Sequence, residues 1–92
     1  PLIYVTKIAR KADISGQIQA EAVKILKEAK RKHVSAGKDP MGLAAAALYI
    51  ACKRLGEKKT QKEIADAAGV TEVTVRNRFK TLKRQLNISL PD

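Results

Sequence analysis

Residues 41–56 read MGLAAAALYIACKRLG, and no polar face can be drawn on them before Lys53. A segment of helical length that is apolar all round belongs in an interior. It predicts a buried central helix, with the alanine run letting neighbouring backbones approach closely. Asp39 and Pro40 mark its start, since an aspartate caps free amides and proline is tolerated at the first helical position. Gly56 marks its end. Cys52 falls inside it as a small core residue rather than a reactive thiol.

Outward from that helix the pattern is amphipathic. Towards the N-terminus, Leu2 to Ala12 carry Val5, Ile8, Ala9 and Ala12 at helical spacing. Ser15 then caps a longer helix with Ile18, Ala22, Ile25, Leu26 and Ala29 on one stripe. Lys24, Lys27, Lys30, Arg31 and Lys32 lie opposite as a solvated face that adds long-range attraction to a polyanion. Gly37 is expected to stop this helix, leaving His33 a surface residue near its end. Towards the C-terminus, TQKE at residues 60–63 has the form of a capping box. The tail NISLPD, residues 87–92, reads as a frayed end. The expectation is all-α: five helices around a buried third.

Composition bounds what such a bundle can do. With 92 residues the chain supports one small domain, residues 1–92. It combines a net charge of +10 with 45% hydrophobic residues, so it should both fold and attract polyanions. Tyr4, Tyr49 and Phe79 are the whole aromatic supply, too little for the base-stacking platforms that hold single strands. One cysteine excludes an internal disulfide, and His33 alone makes no zinc set. No cofactor is expected. The uncharged run of residues 41–52 is too short to cross a bilayer. The start PLIYVTK has neither an initiator methionine nor a signal sequence, which points to part of a longer intracellular protein.

The last two helices carry the functional signal. Thr60 to Ala68 and Thr71 or Glu72 to about Leu86 are separated by Gly69, Val70 and Thr71. A glycine there can turn the chain through the left-handed region while Thr71 caps the next helix, the pattern of a helix-turn-helix over about residues 60–86. Ala65 permits a close crossing, and Val70 with Val75 plugs the angle. On the final helix Val75, Phe79, Leu82 and Leu86 define a buried side. Glu72, Val73, Arg76, Asn77, Lys80 and Lys83 then face outward. Val73 is either a stray apolar residue on a basic face or part of a surface meant for something anionic and apolar at once, as duplex DNA is. In the second reading Arg76 bonds a guanine edge bidentately and Val73 meets a thymine methyl, with Thr74 and Asn77 as secondary base readers. Glu72 either accepts from a cytosine amino group or favours the helix dipole. Phosphates would be held by Lys58, Lys59, Thr60, Gln61 and Lys62 at the loop and first helix start, where free amides also suit an anion. Arg78, Lys80, Lys83 and Arg84 extend that set along the second helix. Between Lys53 and Arg84 ten basic residues face four acidic ones, so the surplus charge lies mostly around this element.

Here the sequence resembles the second cyclin-like repeat of archaeal transcription factor B, most specifically in GLAAAALYIA, residues 42–51, and QKEIADAAGVTEVTVRNR, residues 61–78. The resemblance implies a five-helix cyclin-like bundle around a hydrophobic third helix. It further implies promoter recognition: the repeat joins the TATA-binding protein at the TATA box and reads a purine-rich element just upstream, before RNA polymerase is recruited. The family's base-contacting positions in VTVR fall on Val73 and Arg76. Its zinc ribbon, linker and first repeat are absent from these 92 residues, so polymerase recruitment and most contact with the TATA-binding protein would lie elsewhere. A monomer located in the archaeal cytoplasm, at the nucleoid, is expected. Two alternatives remain: a stand-alone helix-turn-helix regulator, which needs a dimer and a palindromic site, and a cyclin-like module docking an acidic protein. No nucleophilic triad, paired general acid and base, or glycine-rich phosphate loop is present, so an enzyme is not expected.

Overall fold

A computed structural model describes residues 2–35 and 37–91. Among them it is all-α, with five helices: α1 (Leu2–Ala12), α2 (Gly16–Arg31), α3 (Pro40–Leu55), α4 (Gln61–Ala68) and α5 (Glu72–Gln85). The expected central helix is α3, buried continuously from Gly42 to Leu48 and again at Ile50, Ala51 and Cys52. All four other helices pack on it, and around it α2 meets α1, α1 meets α4 and α4 meets α5. The small side chains of residues 44–47 permit that density. The radius of gyration is 11.3 Å, against about 12 Å expected for a chain of this length.

The helix starts follow local chemistry closely. Ser15 accepts from the Ile18 amide at 3.4 Å, and Asp39 accepts from Met41 and Gly42 ahead of α3, with Pro40 in its first turn. The ends share one device. Each helix is followed by a residue of positive φ: Asp13, His33, Gly56, Gly69 and Asn87. The next residue then returns its amide to the carbonyl five positions back, as Val34 does to Ala29 at 2.9 Å and Ile88 to Lys83 at 3.0 Å.

That device corrects two expectations. α2 stops at Arg31, six residues before Gly37, because His33 takes the left-handed conformation at φ 60° and Val34 folds back to half-burial. Nor is the tail frayed over residues 87–90, Asp92 lying outside the described residues: Asn87 turns the chain at φ 53°, Ile88 is buried, and Leu90 packs partly buried on the core. Leu26, placed on the core stripe of α2 by its spacing, is half-buried at the core's edge.

Candidate nucleic-acid interface

The junction between α4 and α5 is built from three residues. Gly69 sits at φ 70°, where an L side chain would be strained, and its amide donates back into the last turn of α4. Val70 donates to Ala65 at 3.1 Å, and Thr71 caps α5 by accepting from the Thr74 amide at 3.1 Å. At the far end of α4 the capping box is complete. The Thr60 hydroxyl accepts from the Glu63 amide at 3.0 Å, and the Glu63 carboxylate accepts from the Thr60 amide at 3.0 Å. Those bonds hold the Glu63 carboxyl below its ordinary range. They also use the amides of Thr60 and Glu63, so an anion at this helix start would meet Gln61 and Lys62.

The orientation of α5 is set by what it buries. Val75 and Leu82 are fully enclosed, and Phe79, half-buried, meets Tyr49 of α3 edge-on with ring centroids 5.1 Å apart. Across its first half α5 crosses α3 at Gly42. A Cβ there would stand 3.0 Å from Thr74 Cγ2 and 3.8 Å from Arg78 Cγ. The glycine therefore sets how near α5 lies.

The opposite edge of α5 is open. Glu72, Val73, Arg76, Asn77, Lys80 and Lys83 are all exposed, Val73 at 52%. Val73, Arg76, Lys80 and Lys83 form one stripe. Thr74 and Arg78 are not on it: they line the flank facing α3, where the Thr74 hydroxyl lies 3.0 Å from that of Thr71. Among the described residues the enclosed Arg78 Nε has no hydrogen-bond partner. Lys83 lies with its ammonium 6.0 Å from the Phe79 ring centroid.

Of the remaining candidates, Lys58, Thr60, Lys62 and Arg84 are exposed while Lys59 and Gln61 are half-buried. Lys62 pairs with Asp66 at 3.3 Å on a fully wetted surface, a bond worth little and easily exchanged for a phosphate. Among the described residues Arg76, Lys80, Lys83 and Arg84 have no carboxylate partner. Sequence reasoning missed Asn87 and Ser89, which join Lys80, Lys83 and Arg84 around a shallow bowl of about 400 Å³. Their signal was an asparagine able to turn a helix end, hidden by treating the tail as frayed. No cluster of three or more metal-ligating side chains occurs among the described residues, and none of the helices is long and apolar enough to cross a membrane.

The family model for the transcription factor TFIIB repeat matches residues 1–85. The chain belongs to the TFIIB repeat family. Transcription initiation factor IIB of Caldivirga maquilingensis is 58% identical over 91 residues, covering 99% of this chain and 27% of the relative. The proteins of the same name from Pyrodictium occultum and Saccharolobus shibatae are 56% and 55% identical over 99% of this chain, which covers 29% and 30% of them. The TFIIB repeat described here thus spans less than a third of the curated relatives it matches. Its five helices around a buried third are the cyclin-like architecture that the resemblance implied.

Proposed function

We propose that this TFIIB repeat is a non-enzymatic, promoter-binding unit of a general transcription initiation factor, with α4 and α5 acting as a helix-turn-helix whose second helix enters the major groove. The observation that carries the reading is the exposed stripe of Val73, Arg76, Lys80 and Lys83, whose cations have no carboxylate partner among the described residues and which is held outward by the burial of Val75 and Leu82. A groove-reading helix needs its N-terminal residues to reach base edges and its later cations to meet phosphates. Val73 and Arg76 stand in the first position and Lys80 and Lys83 in the second. Asn77 lies beside Arg76 on the exposed face and supplements base reading. Thr74 and Arg78 act from the flank, where they hold α5 against α3 and present their outer atoms to the sugar-phosphate backbone.

The relatives are named for transcription initiation, and the family resemblance supplies the target: the purine-rich element just upstream of the TATA box, read as a monomer together with the TATA-binding protein. Polymerase contact belongs to the rest of the longer protein. The test is competition between two duplexes, one carrying the upstream element and one with it scrambled, both bearing a TATA box with bound TATA-binding protein. Preference for the first, with amide shifts confined to residues 60–89, is expected. Equal affinity for both removes the base-reading claim. A concentration-dependent dimer in sedimentation favours a stand-alone regulator instead.

A further inference from the structure

A second surface is left unused by that reading. On α2, Val23, Leu26, Lys27 and Lys30 recur at helical spacing and form a stripe distinct from the buried one of Ile18, Ala22, Ile25 and Ala29. They line a groove of about 380 Å³ whose apolar surface is completed by Leu2 of α1 and Leu43 of α3. Leu2 is 61% exposed there. The ionisable lining residues are Lys27, Lys30 and Lys38, all cationic. Among the described residues none of the three has a carboxylate partner, since Glu28 of the same helix is held by Arg31 and Lys32. No residue of α4 or α5 lines the groove, so it stays available while α5 is engaged.

We propose that this groove docks an acidic amphipathic helix of a partner protein, its aliphatic or aromatic side chains covering Val23, Leu26 and Leu43 and its carboxylates meeting the three lysines. The combination selects this occupant. A duplex would satisfy the lysines but leave the apolar floor wet. A second copy of the chain would bring its own charge of +10 against a cationic rim. An apolar helix face flanked by carboxylates matches both floor and rim, and helix-in-groove recognition uses this spacing of anchors.

The experiment is a titration of the isotopically labelled chain with three synthetic helical peptides. One alternates leucine and phenylalanine anchors with glutamates, one replaces the glutamates by lysines, and one replaces the anchors by serines. The glutamate peptide is expected to shift the amides of Val23, Leu26 and Leu43 and to bind at least about tenfold more tightly than either counterpart, with affinity falling as salt rises. Lys27→Glu with Lys30→Glu should reverse the preference to the lysine peptide, an outcome that loss of folding cannot mimic. Arg76→Ala should leave peptide affinity unchanged. Equal binding of all three peptides, shifts centred on α5, or self-association through the groove would each overturn the proposal.

Discussion

In the proposed function, sequence specificity turns on Arg76. Its guanidinium is exposed and has no carboxylate partner among the described residues, so engaging a guanine breaks no internal bond. Arg76→Ala should lose about 1–3 kcal/mol on an element-bearing duplex and much less on a scrambled one, measured by fluorescence anisotropy at fixed salt. Glu63 offers a test by pH. Hydrogen bonds from Thr60 hold its carboxyl below the ordinary carboxylate range in the folded chain, so its charged form favours folding. That stabilisation is complete above the ordinary carboxyl range and is lost as pH falls through the lowered value. Glu63→Gln should therefore be less stable than the parent in urea melts at neutral pH, and the difference should close under acid. A gap that persists there would mean the charge is not what the cap uses.

At the scale of elements, the helices were legible wherever a local signal was unambiguous. The continuous apolar run of α3 could belong only inside, and Ser15, Asp39, Thr60 and Thr71 cap the helices where side-chain chemistry places them. The outward face of α5 followed from the spacing of its buried residues. Helix ends were legible at Ala12, where the apolar spacing stops, and where a glycine marks them, at Gly56 and Gly69. At His33 the left-handed turn is fixed by the burial of Val34, a tertiary cause with no local marker, while at Asn87 the asparagine is itself a local marker and the burial of Ile88 fixes the turn. His33→Gly relieves the side-chain conflict at φ 60° and should raise stability by about 0.5 kcal/mol, the gain being limited by the freer unfolded chain. The α3–α5 crossing was likewise invisible, since nothing local pairs Gly42 with Thr74. Gly42→Ala gains about 1 kcal/mol of helix propensity but presses its Cβ on Thr74 Cγ2. The two effects should nearly cancel, while Gly42→Ala with Thr74→Ser, which removes that methyl, should recover most of the gain. A double-mutant cycle with no coupling would show that the methyl does not set the helix spacing.

Over the whole molecule, charge and shape divide the work. The net +10 draws any polyanion from a distance, but only a part of the surface can deliver that charge to a duplex at contact. Arg31, Lys32 and Arg54 are held by Glu28 and Glu21, and Lys27, Lys30 and Lys38 ring a groove away from α5. Beside α5 stand Lys58 and Lys62 at the start of α4 and the cluster of Lys80, Lys83 and Arg84 with Asn87 and Ser89. If these cations neutralise phosphates, binding must weaken with salt at a slope of about −0.9 per phosphate contacted. Lys80→Ala with Lys83→Ala should then flatten the slope by about 2 and weaken element-bearing and scrambled duplexes alike. Arg76→Ala should do the reverse, with a large loss on the element and a small change of slope. The same slope change for both variants would mean that α5 lies across the backbone rather than in the groove. Val73 would then have no thymine to meet.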